Sequence, residues 1–430
     1  MSPLAGPMVP GRPVTIANVS RRGFLRGVSG LAGLVLAVGY PRPARADDPP
    51  KYGADGMPNG WVDDPIAFVS VADDGTVSIV CHRSEMGQGV RTGMPMIVAD
   101  ELEADWKRVR VVQAPGDEKR YGNQDTDGSR STRHFFDPMR RCGAAARAML
   151  EAAAAAQWKV PVAEVEAKNH EVLHRPTGRR LGYGALAKAA AAQPVPARET
   201  LRLKHPSQFR YIGKGQIKLV DGPDIATGKA KYGIDTRLPD MLYAVVARPP
   251  VYGGTVASYD DTEALKVPGV VRVVAIDGSP APPEFKPLGG VAVIGRSTWA
   301  AMQGRKALQI GWDDGPNSGY DSAAFKATLE EAARKPGPVV RNDGNIETAM
   351  AGATRRLSAE YYIPHLAHAT MEPPAAVARI ANGKCEVWGC FQSPQAARDL
   401  VAKRLGLSPA DVTVHVTLLG GGFGRKSKCD

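Results

Sequence analysis

Glycine and proline interrupt this sequence so often that few stretches can form a long, uninterrupted helix or strand. There are 47 glycines and 35 prolines among 430 residues, which favours many turns and short elements over a helical bundle. Between these breaks lie short strand-like and helix-like runs without an internal sequence repeat. Such a mixture, with non-local connections, predicts a multidomain α+β fold rather than a doubly wound parallel sheet.

Local patterns predict most of the elements. An Asp-Gly turn between two alternating runs predicts a hairpin over residues 67–80. Ser393 as N-cap, Pro394 at the first helical position and Gly406 beyond the end predict a helix over 395–405. The remaining predictions are helices at 92–106, 143–158, 261–265, 298–308 and 321–334, strands at 109–112, 241–247, 270–275, 291–294, 356–363, 375–391 and 412–418, a loop at 116–137 and a connector at 192–206.

The N-terminal residues have the three parts of a twin-arginine export signal. Ser20-Arg-Arg-Gly-Phe-Leu-Arg26 is followed by an apolar stretch to Tyr40, which is too short to span a bilayer, and then by Ala44-Arg-Ala46. We therefore expect residues 1–46 to be a cleaved signal peptide and the mature protein to be periplasmic, with membrane association as a further expectation. The alternatives are a chance basic terminus or an uncleaved anchor.

The net charge of +11 does not indicate a nucleic-acid partner. Six arginines and no acidic residue lie within residues 1–46, so the leader carries more than half of that charge. No basic run with interleaved aromatic residues occurs elsewhere, and no nucleic-acid binding is expected. The five cysteines are odd in number and scattered, which is not the pattern of a disulfide framework.

Two glycine-rich segments are candidates for binding an anionic ligand. Glu85-Met-Gly-Gln-Gly89 lies between a predicted strand and a predicted helix, and Gly420-Gly-Gly-Phe-Gly-Arg-Lys426 directly follows a predicted strand. Successive backbone N–H groups at such turns can surround a phosphate. Each segment alone is equally compatible with an ordinary turn. The second is not a Walker A loop, because Arg425 stands where that motif requires glycine.

No metal site is expected from the ligand spacing. His365, His368 and Glu372 lie close together in the sequence, but no third and fourth ligand follow at a suitable spacing, so structural roles are the better interpretation.

Taken together, several segments resemble the xanthine dehydrogenase/aldehyde oxidase family, in particular its isoquinoline 1-oxidoreductase type. Residues 222–235 and Met241–Ala244 are similar to the family's α/β hammerhead domain. His368-Ala-Thr-Met-Glu372-Pro, Phe391-Gln-Ser-Pro394 and the segment 420–426 resemble the start of its molybdopterin-binding domain. The resemblance implies a permuted molybdopterin-binding segment at 47–205, a hammerhead domain at 213–313 and an incomplete molybdopterin-binding domain at 320–430.

The resemblance implies a large subunit that oxidises an N-heterocycle or an aldehyde at carbon, with water as the source of oxygen. It implies molybdopterin in its cytosine dinucleotide form and a separate small subunit with [2Fe–2S] clusters. The expected export favours a periplasmic cytochrome as electron acceptor over NAD or dioxygen. Gln392 is a candidate for a hydrogen bond to a ligand of the metal. The other implied cofactor-binding residues are Gln88, Gly89, Gly421, Gly422, Phe423, Gly424 and Arg425.

Two departures from the family pattern affect these expectations. Ser427 stands where many xanthine dehydrogenases have glutamate, which argues against purine-type substrate contacts. The family's catalytic glutamate is expected beyond residue 430, so no catalytic residue is assigned, and the chain is expected to be an incomplete subunit that is inactive alone. The alternatives are a truncated remnant without catalytic function and an exported protein that binds a cofactor or a partner.

Overall fold

The computed structural model describes residues 60–280, 282 and 285–429, so the predicted leader lies outside the described residues. The chain divides into two compact units. Among the described residues, the first contains 60–238 together with 370–429, and the second contains those between 239 and 369. Within the described ranges, no helix has the length and apolar character needed to cross a membrane.

The boundaries of these units differ from the predicted domain boundaries at 213 and 320. Residues 213–238 belong to the first unit, where Asp221 pairs with Arg91 (Nε–Oδ2 distance 2.9 Å). Both side chains are almost fully buried, so this ion pair joins the segment firmly to the core around it. The assignment of the four segments to named domains stays a prediction.

The first stretch of the first unit contains two small sheets. In one, β1 pairs with β2 antiparallel and β2 pairs with β3 parallel; in the other, β4, β5 and β6 form an antiparallel meander. The strands are β1 (Val69–Val71), β2 (Val77–Cys81), β3 (Val109–Gln113), β4 (Val165–Lys168), β5 (Glu171–His174) and β6 (Arg180–Gly182), and the helices are α1 (Pro65–Phe68), α2 (Val90–Glu101), α3 (Glu118–Tyr121), α4 (Arg130–Trp158), α5 (Tyr183–Ala191) and α6 (Gly222–Ala226).

The core of this stretch lies where α2 and α4 pack together against the sheets. Phe135, Met139 and Cys142 follow one another on one side of α4 and are fully buried. Gly143 allows a close approach of the two helices, because a Cβ atom at this position would overlap the carbonyl oxygen of Val98. Helix α4 therefore owes its position to packing as well as to its alanine-rich composition.

The second unit has two antiparallel sheets. The sheet β7-β10-β9 carries a short core of Ala264, Val273, Val291 and Val293, and β11 pairs with β8. Its strands are β7 (Tyr243–Ala247), β8 (Thr255–Asp260), β9 (Val270–Ile276), β10 (Gly290–Gly295) and β11 (Gln309–Asp313), and its helices are α7 (Thr262–Lys266), α8 (Thr298–Ala307), α9 (Ser322–Ala333) and α10 (Ile346–Ala351).

The last stretch, which completes the first unit, repeats the connectivity of β1, β2, α2 and β3. The strands β12 (Ala376–Ala381) and β13 (Lys384–Gly389) form an antiparallel hairpin, α11 (Pro394–Leu405) follows, and β14 (Val412–Val416) pairs with β13 in parallel. In each half, a loop leads from the parallel strand into the helix.

The predicted α+β class is confirmed, and several local predictions are corrected. Residues 356–363 form no strand; they are exposed and have no partner strand to complete their backbone hydrogen bonds. The predicted loop over 116–137 contains α3 and the first turns of α4, in which His134 and Phe135 are buried and continue the helical spacing of Met139 and Cys142. Residues 67–68 end a helix that Asp64 caps. The side chain of Ser393 does not cap α11, whereas Gly406 ends that helix with a φ of +64°.

Candidate functional site

The first glycine loop, Met86–Gly89, connects β2 to α2 and is shaped by the carboxylate of Glu85. Oε1 of Glu85 accepts hydrogen bonds from the N–H groups of Gly87 and Gly89, and Oε2 accepts one from Arg91, each at 2.9 Å. Gly89 has a φ of +84°, a conformation that favours glycine. The amides at the start of α2 thus already have an anionic partner within the chain.

Gln88 is exposed, and its side chain folds back onto its own loop. Its Oε1 accepts from the N–H of Met86 at 2.8 Å, and its Nε2 donates to the carbonyl of Ser84 at 3.0 Å. The backbone N–H of Gln88 has no acceptor among the described residues. It is therefore this backbone group, more than the side chain, that can bind an incoming acceptor.

The second glycine loop, Gly420–Gly424, follows β14 and has an unusual backbone. Gly421, Phe423 and Gly424 have φ values of +87°, +53° and +93°, and the Phe423 side chain is 70% exposed. The N–H groups of Gly422 and Phe423 have no acceptor in the part of the chain that the structure describes. A non-glycine residue in this conformation is strained, and such strain is commonest at functional sites.

Glu372 holds the beginning of the second loop. Its Oε1 accepts from the N–H of Ile234 at 2.9 Å, and its Oε2 accepts from the N–H of Gly420 at 3.0 Å and from Nζ of Lys426 at 2.9 Å. The backbone N–H of Glu372 in turn donates to the carbonyl of Gly420. Because Glu372 and Lys426 are buried, this pair ties the loop to two distant segments.

The two glycine loops lie side by side. The N–H of Leu419 donates to the carbonyl of Glu85 at 2.8 Å, and Met86 packs beside Cys390, Val416 and Leu419. A Cβ atom at Gly422 would lie 2.5 Å from Sδ of Met86. A side chain at Gly422 would force Met86 or Gln392 to shift.

Gln392 connects the second loop to Thr126, which is itself bound to Ser84 just before the first loop. It is 1% exposed, its Nε2 donates to the carbonyl of Thr126 at 2.7 Å, and its Oε1 accepts from the N–H of Gly424 at 3.1 Å. Thr126 in turn accepts from the N–H of Ser84 through Oγ1. The side-chain amide is thus engaged on both ends, and a bond to a metal ligand would have to use the second hydrogen of Nε2.

A buried polar pair immediately precedes the first loop. Nη1 of Arg83 donates to the carbonyl of Asp125, but Nε and Nη2 of Arg83 and both ring nitrogens of His82 have no hydrogen-bond partner among the described residues. Burial lowers the pKa of Arg83 to about 10, although Asp125 and Glu118 act in the opposite direction. Burial, together with the charge of Arg83, lowers the pKa of His82 well below its ordinary value, so the imidazole is neutral at pH 7.

The structure brings the predicted site residues into one region of the first unit and adds residues that the sequence did not reveal. Arg425 begins a short 3₁₀ helix, and its N–H donates to the carbonyl of Gly422 at 2.9 Å. Sequence reasoning missed Arg83, Ser84 and Thr126, and it gave no site role to Glu85 and Glu372, although both stand within quoted motifs. The carboxylate next to the first glycine motif was a visible signal for Glu85, whereas Glu372 and Thr126 reach the site only through folding.

Comparison with known families defines the class of this protein. Residues 331–429 match one molybdopterin cofactor-binding domain family and residues 34–218 match a second. Together these matches contain both glycine loops. The chain belongs to the molybdopterin-binding large chains of the xanthine dehydrogenase family.

Individual relatives give a more detailed comparison. The chain is 34% identical to the beta subunit of isoquinoline 1-oxidoreductase from Brevundimonas diminuta, over 97% of this chain and 57% of the relative. It is 32% identical to a membrane-bound aldehyde dehydrogenase of Gluconacetobacter polyoxogenes, over 96% and 53%. It is 28% identical to a subunit of nicotinate dehydrogenase from Pseudomonas putida, over 84% and 30%. The chain thus spans about half the length of the first two relatives and less of the third.

Proposed function

We propose that this chain is the cofactor-binding part of a molybdopterin-dependent oxidoreductase that oxidises an N-heterocycle or an aldehyde at carbon. The observation that carries the proposal is the pair of converging glycine loops in a chain of this family. The relatives named for isoquinoline, aldehyde and nicotinate oxidation support this range of substrates. The proposed source of the oxygen is water.

The residues present fit a phosphorylated pterin. The unpaired N–H groups of Gly422 and Phe423 can donate to oxygen acceptors. The missing side chain at Gly422 lets Met86 and Gln392 pack against the backbone of the second loop, which fixes the position of these donors. When bound, the molybdenum-pterin group supplies a two-electron redox centre. The residues proposed to line its binding site, as donors or by close contact, are Gln88, Gly89, Gln392, Gly421, Gly422, Phe423, Gly424 and Arg425.

In this proposal the chain's own residues bind and orient the group. Glu85 and Glu372 keep the two loops in place, and Gln392 fixes their spacing through Gly424 and Thr126. The exposed ring of Phe423 lies on the outside of the second loop and can shield one side of a bound ligand from water. Donors fixed before the ligand arrives cost less reorganisation than mobile ones.

Several finer features belong to the same proposal. We propose the cytosine dinucleotide form of the cofactor, a small partner subunit that carries [2Fe–2S] clusters, and a periplasmic cytochrome as acceptor. Two of the relatives are named as subunits of larger enzymes, which supports the existence of a partner chain. Export through the twin-arginine route and association with the membrane are proposed from the sequence of residues 1–46 alone. The expected inactivity of the isolated chain stays a prediction.

The test is to isolate the chain from a bacterium that makes the cofactor and to measure what it carries. We expect molybdenum by elemental analysis and a fluorescent pterin after oxidation, in roughly equal amounts. Neither should be found in a variant in which Gly422 is replaced by valine, because the side chain would overlap Met86 and Gln392. Wild-type protein without molybdenum or pterin would contradict the proposal and would favour a protein that binds a partner only.

A further inference from the structure

Each glycine loop is bound by a buried carboxylate, which accepts hydrogen bonds from backbone N–H groups that could otherwise bind a ligand. Glu85 and Glu372 are both 6% exposed. We propose that they are positioning residues, which fix the loops and leave the N–H groups of Gln88, Gly422 and Phe423 as the loop donors for the cofactor. Their role toward the cofactor rests on the proposed function.

Glu85 fills the position that an anion would take at the start of α2. Its two oxygens accept the N–H groups of Gly87, Gly89 and Arg91, where the helix dipole favours negative charge. A phosphate at the same place would have to displace or repel this carboxylate. A phosphate or pterin oxygen is therefore bound beside this helix end and not on it. The N–H of Gln88 is left as the donor of the first loop.

Glu372 positions the second loop in the same way. It accepts the N–H groups of Ile234 and Gly420 and pairs with Lys426, whose side chain is 1% exposed. The N–H of Gly421 is also occupied, by the carbonyl of Leu419, and that of Gly424 by Gln392. What remains in the loop is the adjacent pair Gly422 and Phe423.

The two carboxylates also explain why the loops can keep their strained backbone. Hydrogen bonds to a charged acceptor are stronger than those between neutral groups. Three such bonds at Glu85 and three at Glu372 hold the ends of both loops, so that the residues between them keep their conformation without a ligand. The selected donors are thus already arranged for acceptor-rich groups.

Hydrogen exchange of the full chain tests the positioning role without any activity measurement. In Glu85→Gln we expect at least one of the amides of Gly87, Gly89 and Arg91 to exchange at least tenfold faster, and in Glu372→Gln at least one of those of Ile234 and Gly420. The reason is that a carboxamide keeps one acceptor oxygen, and its NH2 group cannot accept the remaining N–H. Helix α4 should keep its protection in both variants. Glu101→Gln is the matched control: this carboxylate is fully buried and paired with Arg140 but lies at the other end of α2, so the loop amides should exchange as in wild type.

Cofactor binding gives the second measurement. We expect Glu85→Gln and Glu372→Gln each to bind the molybdenum-pterin roughly 10- to 100-fold more weakly than wild type, which is the factor for a lost hydrogen bond to a charged group. In wild-type protein the cofactor should slow exchange at Gln88, Gly422 and Phe423 and leave Gly87, Gly89 and Gly420 unchanged. Slowed exchange at the latter three amides would overturn the proposal.

A double variant separates positioning from simple charge balance. The double variant Glu372→Gln, Lys426→Met removes the buried charge of Lys426, which Glu372→Gln alone leaves without its carboxylate partner. It does not restore the carboxylate oxygen that the amides have lost. We expect its thermal stability to recover, while its cofactor affinity and the exchange of the amides that bind the Glu372 side chain, Ile234 and Gly420, stay altered. Full recovery of both would show that Glu372 only neutralises Lys426 and would overturn the inference. If the Gln variants show the expected faster exchange of the loop amides but wild-type protein binds no cofactor, the proposed function fails while the positioning role stands.

Discussion

Gly422 lies where the two glycine loops touch, and its lack of a side chain decides how close they come. A Cβ atom there would lie 2.5 Å from Sδ of Met86 and 2.6 Å from Oε1 of Gln392. Both neighbours are held by other contacts, Met86 by apolar packing and Gln392 by hydrogen bonds on both ends. The space at this position is therefore fixed by the surroundings.

The replacement Gly422→Ala should disturb the site more than the fold. We expect cofactor content to fall at least tenfold, because the second loop must move away from Met86. We expect the free energy of unfolding to fall by about 1–3 kcal/mol, the usual cost of overpacking. Molybdenum content and thermal unfolding measure the two effects. The control is Gly93→Ala in α2, where a Cβ atom meets nothing within 4 Å. That change should raise helix stability by about 0.5–1 kcal/mol. Normal cofactor content in Gly422→Ala would contradict the role of this close approach.

At the scale of elements, α2 is fixed at both ends by acidic residues. Glu85 caps its start, and at its last turn Asp100 accepts the N–H groups of Arg210, Tyr211 and Ile212. Two negative charges at a helix C-terminus are unfavourable with the helix dipole. Here the pairs of Asp100 with Lys204 and of Glu101 with Arg140 offset that cost. The helix that begins at the first glycine loop thus has a fixed position.

The charge of Asp100 makes the fold sensitive to acid. Burial by itself would raise the pKa of Asp100, but hydrogen bonds from Ile212 and Tyr211 and the charge of Lys204 outweigh it, and the pKa is lowered from 3.8. A lowered pKa in the folded state adds stability that is fully present above the unfolded value and is lost as the pH falls through the folded value. We therefore expect the free energy of unfolding to decrease as the pH falls below about 3.8.

Urea unfolding between pH 5 and pH 3 measures this effect. Asp100→Asn should be less stable than wild type at pH 5, because the buried Lys204 loses one of its carboxylate partners, and its stability should depend less on pH. The control is Asp137→Asn, whose side chain is 65% exposed and whose replacement should leave the pH dependence unchanged. Equal slopes for wild type and Asp100→Asn would show that this carboxylate is not responsible.

The packing of α2 against α4 depends on Gly143. A Cβ atom at this position would overlap Val98 O and lie 2.8 Å from Glu101 Cβ. Alanine has the higher helix propensity, yet we expect Gly143→Ala to lower the free energy of unfolding by about 1–3 kcal/mol, because the overlap is with backbone that cannot move freely. Thermal unfolding measures this. An increase in stability would mean that propensity outweighs packing at this crossing.

Element predictions succeeded where the pattern was local. The hairpin strands, the alanine-rich helix, the strand-helix-strand order over 375–418 and Gly406 as the end of α11 follow from neighbouring residues alone. The first turns of α4 were missed because their polar and glycine-rich surroundings hide the two buried residues His134 and Phe135. A strand at 356–363 was predicted from composition, but a strand also needs a partner, and no local pattern supplies that information.

At the scale of the whole molecule, the first unit is assembled from two stretches separated by more than a hundred residues. Both stretches have a hairpin, a helix and a parallel strand in the same order. Their loops meet at the candidate site, where Ser84 of one stretch donates through Oγ to the carbonyl of Phe391 of the other at 2.7 Å. The site is complete only when both stretches have come together.

Residues 353–369 are the segment that we expect a protease to cut first. They form no helix or strand, and Leu357, Tyr361 and Ile363 are more than 80% exposed, which is typical of accessible cleavage sites. Brief digestion with chymotrypsin, followed by mass spectrometry, should give early cuts after Leu357 and Tyr361. The connector at 192–206 is the comparison, since hydrogen bonds from Arg140 and Arg147 to residues 202 and 204 hold its end. Earlier cleavage in that connector would contradict the prediction.

The sequence by itself determined the α+β class, the two glycine motifs and the resemblance to a molybdopterin-binding family, because each of these depends on patterns of neighbouring residues. It also placed every candidate cofactor residue except Gln392 within two short segments. The tertiary structure decided which of their amides remain unpaired. Part of that outcome is local, because Glu85 accepts the N–H groups of Gly87, Gly89 and Arg91, two to six residues further along the chain. The rest depends on Glu372, Ile234 and Gly420 meeting from distant parts of the chain. Such partners are set by packing, which no local pattern encodes.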